Sequence, residues 1–385
     1  MTDVTATSPD IPLFDLRLED EDVEAVADAL RSGWLTMGPR IVAFEERFAE
    51  QLGAKHAVAL SSCTAALHLA YLAAGVGPGD EVVVPAYTFV ATANAALYCG
   101  ATPVFADVVG QHDLGIAPAS VEAAISERTK AVCAVHFGGY PAAVRELKAL
   151  CDERGIALIE DAAHAPSATL GGRKLGTFGL AGAFSFFSNK VLSVGEGGLL
   201  ATDDDDVAEL ARSLRSHGMT SGTWARHTGH QTSYDVTALG FNYRMDEPRA
   251  ALLLSRMPRL EDDIARRREL VLGYRRRLEG LDGLSVPYRD DEVGMSSCYV
   301  MPVMVSDAGR RDEVRARLKS DFGIQTSILY PAIHEFSAYR ERYPGVSLPE
   351  TERASRCEVT LPLYAHMTDA EQDRVVEAVQ RVLAG

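Results

Sequence analysis

The sequence has few cysteines, and they are not arranged for a metal site or a disulfide framework. Six cysteines are scattered over 385 residues without a C-x-x-C pair. Most of them lie in apolar or helix-like surroundings, where a cysteine usually behaves as a small buried side chain. We therefore expect reduced thiols, and we expect neither a zinc site nor a disulfide-stapled fold.

Long hydrophobic runs and an excess of basic charge are also lacking. No run approaches the roughly 18 apolar residues of a membrane span, and "MTDVTATSPD" at the N-terminus lacks the basic-then-apolar pattern of a signal peptide. The formal net charge of −16 disfavours nucleic acid and anionic membranes as partners, because both need a basic face. These features favour a cytoplasmic protein, and they leave room for a small anionic ligand that is bound locally.

The first half of the chain alternates short apolar runs with helix-like segments. "HAVALS", "EVVVPA", "TPVFAD", "AVCAVHF", "IALIED" and "GAFSFF" have the composition of strands, and "CTAALHLAYLAAG" that of a helix. This alternation is typical of βαβ units. We therefore predict an α/β fold with a mostly parallel central sheet that is flanked by helices.

The pattern changes after about residue 203. A long polar segment at 217–241 shows no regular element, and the charged stretch "LEDDIARRRELVLGYRRRLEG" is interpreted as an exposed connecting helix. A strand at "CYVMPVMV" and further helices follow. We therefore predict a large domain with an N-terminal helical segment at 1–255 and a smaller C-terminal α+β domain at 256–385.

One lysine stands between an apolar strand and a glycine-rich turn, in "AFSFFSNKVLSVGEGGLLATDD". On its own, Lys190 is most simply a solvated loop lysine. Asp161 ends the apolar strand of "IALIEDAAHAPSA", at the sheet edge where open α/β sheets bind ligands. Asp161 on its own is equally consistent with a helix cap.

Two further segments lead to the same edge. "VALSSCTAALHLA" runs from a strand through Cys63 and Thr64 into a helix, whose first N–H groups are suited to an anion. "PAYTFVATANAA" offers Tyr87 and Phe89 as aromatic faces or as core residues. An amine, a carboxylate, an aromatic face and an anion cup are together what pyridoxal 5'-phosphate requires.

A nicotinamide dehydrogenase is a weaker interpretation. "GVGPGD" follows a helix and breaks the G-x-G-x-x-G spacing, so we interpret it as a turn.

The order of these motifs resembles that of the DegT-type sugar aminotransferases, a family of fold type I pyridoxal phosphate enzymes. The resemblance extends over nearly the whole chain, through "SGWLTMGPRIVAFEERFA", "GFNYRMDEPRAAL" and "LPLY". It implies Lys190 as the Schiff-base lysine, Asp161 as the partner of the ring nitrogen, and His164 beside the ring or its phenolic oxygen. It further implies the following cofactor contacts: Phe89 stacking on the ring, and Cys63, Thr64 and Ser185 near the phosphate.

The resemblance also implies a homodimer with shared active sites, because Asn242 in "GFNYRM" matches a residue that reaches the partner's cofactor phosphate. Helix capping is the alternative role for Asn242. Substrate contacts are implied for Thr36 in "GW-x-T-x-GP" and for Tyr330 and His334 in "ILYPAIHEF". A structural role is equally open for Tyr330 and His334, and Arg226 is either a contact to the substrate diphosphate or a solvated loop residue.

Two departures from the family pattern concern the same site. Cys63 stands where many relatives have glycine, and Phe187 stands where "SFHxxK" has histidine. Both leave the lysine, the aspartate and Ser185 in place, so we expect cofactor binding to survive.

The implied reaction is transamination, in which glutamate or glutamine donates an amino group to a nucleotide-linked keto sugar. Relatives that replace the lysine by histidine carry out dehydration, and this chain keeps Lys190. The motifs "DAAHA" and "GW-x-T-x-GP" favour carbon 4 of a 4-keto-6-deoxyhexose nucleotide, because carbon-3 enzymes more often have glutamine at the position of His164. Carbon-3 amination, a cyclitol ketone such as scyllo-inosose, and a non-catalytic regulator that binds the cofactor are the alternatives.

Overall fold

A central sheet of seven strands organises the computed structural model, which describes residues 10–220 and 233–384. Its strands, in spatial order, are β1 (His56–Leu60), β11 (Gly198–Thr202), β10 (Ala181–Ser185), β7 (Ala157–Asp161), β6 (Thr129–Val135), β2 (Glu81–Pro85) and β3 (Thr102–Ala106). Two short hairpins accompany it: β4 (Val108–Gly110) with β5 (Asp113–Ile116), and β8 (Thr169–Leu170) with β9 (Arg173–Lys174). The predicted mostly parallel α/β sheet is confirmed.

Strand β11 is the exception to the parallel order, since it pairs antiparallel with both β1 and β10. The other six strands run in the same direction, so their carboxyl ends meet at one edge of the sheet, where β11 begins. The hydrophobic pattern predicts that β11 exists, but it carries no information on strand direction. The connection from β10 to β11, which contains Lys190, therefore lies at this carboxyl edge.

Helices cover both faces of the sheet and also surround a smaller second sheet. Their bounds are α1 (Asp20–Arg31), α2 (Pro39–Leu52), α3 (Cys63–Ala73), α4 (Ala91–Tyr98), α5 (Pro118–Ala124), α6 (Val144–Arg154), α7 (Asp205–Leu214), α8 (Glu247–Arg256), α9 (Leu260–Leu278), α10 (Asp290–Val293), α11 (Arg311–Phe322), α12 (Ser337–Arg342), α13 (Pro349–Cys357) and α14 (Asp369–Ala384). Leu67 and Tyr71 of α3 are buried on one face, and Leu147 of α6 is buried on the other. Buried Phe44 and Phe48 of α2 pack near the β10–β11 connection.

Helix α9 corrects one prediction. The charge pattern of 260–278 led us to expect an exposed connecting helix, but Ile264, Leu270 and Tyr274 are fully buried in it. Two of its arginines pair with the last helix: Arg266 contacts Asp369 at 2.7 Å, and Arg277 contacts Asp373. One apolar stripe is enough to bury a helix whose other face is densely charged, and the high charge content concealed that stripe.

A three-stranded antiparallel sheet forms in the C-terminal part of the chain. It contains β12 (Leu284–Ser285), β13 (Met301–Val305) and β14 (Glu358–Leu361), with β13 in the centre. The N-terminal segment joins this region, because Ile11 forms a bridge with Ile324. The division of the chain at residue 255 remains a proposal.

The carboxylate of Glu247 links two of the sequence motifs. Its oxygens accept hydrogen bonds from the N–H groups of Arg40 and Ile41, at 3.1 and 3.0 Å, at the start of α2. A carboxylate is favourable there because the first N–H groups of a helix lack partners within the helix. The motif "SGWLTMGPR" therefore packs against "MDEPRAAL", and Gly38 is required, since a Cβ there would lie 2.7 Å from the Trp34 ring.

The cysteines are free thiols, and five of the six are buried. Among residues 10–220 and 233–384, no group of three or more His, Cys, Asp or Glu side chains could hold a metal ion. Within the same described ranges, no helix is both long and apolar enough to cross a membrane.

Candidate active site

A cavity of about 460 Å³ opens at the carboxyl edge of the central sheet. It brings together most of the residues that the sequence pointed to: Cys63, Thr64, Phe89, Asp161, His164, Ser185, Lys190 and Tyr330. Phe187, which replaces the family's histidine, lines the same cavity. Tyr87 does not, because it is buried in the core that the C-terminal sheet contributes to.

Asp161 lies at the end of β7 and is almost completely buried. The Thr92 hydroxyl donates to one carboxylate oxygen at 2.8 Å, and the Ala163 N–H donates to the other at 3.2 Å. Burial raises the pKa of Asp161, and these two hydrogen bonds lower it. Neither donor carries a charge, so the carboxylate is ready for a cationic N–H in the cavity.

Lys190 is held on a closed loop between β10 and β11. The Phe186 N–H donates to Gly197 O at 2.9 Å, and the Ser188 N–H donates to Gly195 O at 3.0 Å. On the far side, Ser193 is buried, and its hydroxyl accepts a hydrogen bond of 2.9 Å from the buried Arg256 guanidinium. The backbone that carries Lys190 is therefore fixed at both ends.

The Lys190 amine projects into the cavity beside an aromatic ring. Its Nζ lies 4.3 Å from the centroid of the Tyr299 ring, within the range of a cation–π contact. Burial lowers the pKa of Lys190 to about 8, while the negative charges that Cys63 and Asp161 carry when ionised oppose this shift. The unprotonated amine that a base requires is therefore more accessible near neutral pH than in an ordinary lysine.

His164 is held as a neutral imidazole in one tautomer. Burial holds its pKa well below the usual range, and the nearby Lys190 charge lowers it further. The Gly138 N–H donates to Nδ1 at 3.3 Å, so the single ring proton lies on Nε2 and is donated to the Tyr330 hydroxyl at 3.2 Å. The hydrogen of the Tyr330 hydroxyl is thereby left to face another acceptor.

The predicted anion cup lies at the start of α3. The Ser62 hydroxyl caps this helix of 11 residues by accepting the Ala65 N–H, and Thr64 in the first turn lines the cavity. The β11 backbone approaches so closely that a Cβ on Gly198 would lie 2.1 Å from Ser62. Burial raises the pKa of Cys63 well above the usual range, so this thiol is neutral and adds no repulsion toward a phosphate.

Other predicted residues lie outside the lining of this cavity. Thr36 precedes α2, and His334 is buried with its Nε2 3.4 Å from the Glu352 carboxylate. Asn242 is exposed and bridges Ser216 through the backbone. The capping role considered for Asn242 is wrong, because the Asp246 side chain caps α8.

Arg226 and its neighbours His227 and His230 fall outside the described residues.

Two functional neighbours were missed by the sequence reasoning. Tyr299 stacks on His164, with ring centroids 4.3 Å apart, and also faces Lys190. It precedes β13 in "CYVMPVMV", where the apolar pattern indicated only a strand. Thr92 supports Asp161 from α4, and a buried threonine in a helix carries no signal of its own in a single sequence.

Residues 17–380 match the model of the DegT/DnrJ/EryC1/StrS aminotransferase family. The chain is 40% identical over 370 residues to the spore coat polysaccharide biosynthesis protein SpsC of Bacillus subtilis, covering 95% of each chain. It superposes on the aminotransferase TlmJ from Streptoalloteichus hindustanus with a TM-score of 0.89 and 37% identity, covering 97% of this chain and 99% of TlmJ. DesI, solved in the presence of its TDP-sugar product, has a TM-score of 0.84 and 34% identity, covering 95% of this chain and 90% of DesI.

The cavity fits pyridoxal 5'-phosphate. Asp161 supplies a buried carboxylate without a charged hydrogen-bond donor, and Lys190 supplies an amine with a lowered pKa on the same cavity. Thr64 and Ser185 supply hydroxyls beside the first N–H groups of α3, and Phe89 supplies a ring that is 57% exposed. These groups match the ring nitrogen, the aldehyde, the phosphate and the ring face of the cofactor.

Proposed function

Because the chain belongs to the DegT/DnrJ/EryC1/StrS aminotransferase family, and is therefore a pyridoxal phosphate-dependent sugar aminotransferase, we propose that it aminates carbon 4 of a 4-keto-6-deoxyhexose nucleotide. L-Glutamate is the proposed amino donor. The observation that carries the proposal is the meeting of Lys190, Asp161 and His164 in one cavity. The retained lysine favours transamination, and a histidine at position 164 favours carbon 4.

When bound, the cofactor would supply an electron sink and a carrier for the amino group. Asp161 would hold the proton of the ring nitrogen through its buried carboxylate. Thr64, Ser185 and the N–H groups that begin α3 would bind the phosphate. Phe89 would pack against the ring.

Lys190 performs the proton transfers in this proposal. Its Nζ would take a proton from the substrate carbon and would deliver it to the adjacent cofactor carbon, which its tethered position and a pKa of about 8 allow. His164 stays neutral and does not compete for that proton, because its pKa is held far below the usual range. Its Nε2–H instead orients the Tyr330 hydroxyl, which we assign to the acceptor sugar.

The walls of the cavity support a deoxy sugar as the acceptor. Phe187, Ile328 and Leu329 line it together with Phe89 and Tyr330, so apolar surface would meet a methyl group at carbon 6. DesI, which has a similar fold, was solved with a TDP-sugar product, and this supports a nucleotide-linked acceptor.

The proposal includes a homodimer whose active sites use both chains. Asn242 is exposed and makes a backbone bridge with Ser216, so its side chain is available to a second copy of the chain. A cytoplasmic location remains a prediction from the sequence.

The test separates the two half-reactions. Glutamate alone is expected to convert the bound cofactor to its amine form with release of 2-oxoglutarate, and a 4-keto-6-deoxyhexose nucleotide is expected to reverse the conversion. Discharge only by a 3-keto sugar would move the reaction to carbon 3, and discharge only by scyllo-inosose would assign a cyclitol. Failure of every ketone after a normal glutamate step would contradict the proposed acceptor class.

A further inference from the structure

Glu358 is a buried acid that the mechanism above does not use. It begins β14 and has no exposed surface, although carboxyl groups are rarely buried completely. Its Oε2 accepts the N–H of Leu329 at 2.7 Å, and its Oε1 accepts the hydroxyl of Thr360. Leu329, the donor of the first of these hydrogen bonds, lines the cavity.

The 327–330 segment forms one wall of the cavity and is attached to β14 at two points. Ser327 and Thr360 exchange backbone hydrogen bonds of 3.2 and 2.9 Å. Two residues after Ser327, the N–H of Leu329 is bound by a side chain: it donates to the Glu358 carboxyl. The next residue is Tyr330, whose hydroxyl accepts the hydrogen bond from His164.

We propose that Glu358 is a positioning residue for the acceptor sugar: its carboxyl fixes the 327–330 segment and thereby holds the Tyr330 hydroxyl against His164. This inference rests on the proposed function, since it assigns that wall to the sugar. Glu358 touches no reacting atom itself. We therefore expect a substitution of Glu358 to weaken the binding of the acceptor sugar and to leave the rate of the glutamate half-reaction unchanged.

The surroundings of Glu358 favour its neutral form. Arg311 and Arg315 of α11 and the hydroxyls of Tyr87 and Tyr330 are the charged and titratable groups that face it. Burial raises the pKa of Glu358 to about 8, and the hydrogen bonds from Thr360 and Leu329, followed by the two arginines, only partly oppose this. In the neutral form one carboxyl oxygen still accepts the Leu329 N–H, and the protonated oxygen would donate to the Thr360 hydroxyl instead of accepting from it. Glutamine has the same shape and the same two capabilities, so Glu358→Gln is the conservative variant.

The first experiment measures hydrogen exchange at the Leu329 amide in the holoenzyme without substrates. Glu358→Ala is expected to speed this exchange at least tenfold, and Glu358→Gln is expected to leave it within about twofold of wild type, because only Gln keeps an acceptor there. Glu81→Ala is the matched control, since Glu81 is also buried but begins β2 at the opposite edge of the sheet. Unchanged exchange in Glu358→Ala would overturn the proposal.

The second experiment measures steady-state kinetics with the acceptor sugar. Glu358→Ala is expected to raise the acceptor KM about tenfold while the rate of the glutamate half-reaction stays within about twofold. Tyr330→Phe is expected to raise KM similarly, and adding Glu358→Ala to it is expected to add little, because both act through one hydroxyl. Additive effects in the double variant, or an equal KM rise in Glu81→Ala, would overturn the positioning role.

The two experiments also separate this inference from the proposed function. Hydrogen exchange needs no substrate, so it decides the Glu358–Leu329 contact whatever sugar is used. If wild-type protein aminates none of the sugars tested, the proposed acceptor is wrong. In that case the exchange result alone supports or overturns the positioning of the wall.

Discussion

The Nζ of Lys190 lies 4.3 Å from the centroid of the Tyr299 ring, and the His164 ring stacks on the same tyrosine with a centroid distance of 4.3 Å. One side chain outside the central sheet thus sets the position of two groups that stand on its edge. Tyr299 precedes β13, so the C-terminal part of the chain contributes to the lining of the cavity that contains Lys190.

Removing the Tyr299 ring is expected to disturb Lys190, and removing only its hydroxyl is not. In Tyr299→Leu the cation–π contact is lost, which is worth about 0.5–2 kcal/mol. The pKa of Lys190 should fall by up to about 1.5 units, because that contact favours the charged amine. The pH profile of kcat should shift to lower pH, and Tyr299→Phe should retain the wild-type profile. Identical profiles for the Leu and Phe variants would refute this role.

Lys190→Ala is expected to abolish the borohydride-fixed attachment of the cofactor and the visible absorption band of the purified protein. Asp161→Ala should still bind some cofactor but lose nearly all transfer, because an unprotonated ring is a poor electron sink. Mass spectrometry after reduction with borohydride identifies the modified residue. A reducible attachment that persists in Lys190→Ala, or near-normal turnover in Asp161→Ala, would exclude these assignments.

Thr92→Val is expected to narrow the active pH range from the acid side. The Thr92 hydroxyl donates to the Asp161 carboxylate, and a hydrogen bond to a charged group is worth about 1.5–3 kcal/mol. Its loss raises the pKa of Asp161, so the required carboxylate is protonated at a higher pH. The acid limb of kcat/KM should move up by about one to two pH units. Thr202→Val is the control, because buried Thr202 bonds to Leu180 O, away from the cavity.

Mixing two inactive variants tests the shared sites. If Asn242 of one chain serves the site of Lys190 in the other, a heterodimer of Lys190→Ala and Asn242→Ala has one intact site. Random exchange makes about half of the dimers mixed, so activity should return to about a quarter of wild type. Folded parents that exchange subunits without recovering activity would show that both residues act within one chain.

The free energy of unfolding is expected to fall with rising pH through Glu358. Its folded pKa of about 8 lies above the ordinary value of 4.5, so its contribution to stability is full below pH 4.5 and is lost as the pH rises through 8. Glutamine does not titrate, so the free energy of unfolding of Glu358→Gln does not show this loss. Between pH 5 and 8 the variant should gain on the order of 3 kcal/mol relative to wild type, as measured by urea unfolding. A constant difference between the two proteins would mean that Glu358 does not titrate in this range.

The sequence indicated the residues of the candidate site, but it did not indicate the residues that pack around them. Lys190, Asp161 and Thr64 follow strand ends or begin a helix, and strand ends are visible as apolar runs. The partners of these residues come from distant positions: Thr92 lies 69 residues before Asp161, and no local pattern specifies such a pairing. In helix α9 at 260–278, the high local charge led to the prediction of an exposed helix. The buried apolar stripe of this helix becomes visible only from its tertiary contacts.

The closed loop that carries Lys190 also bears on the speed of the reaction. Hydrogen bonds between its two arms and the Arg256–Ser193 contact fix its backbone, so the amine moves only by rotation about side-chain bonds. Such rotations take on the order of nanoseconds or less where a side chain has room, whereas enzymes turn over about 1–1000 times per second. We therefore expect the rotation of the lysine between the two carbons that exchange the proton to be too fast to set kcat, and we expect the slow step to be bond breaking or the entry and exit of substrates.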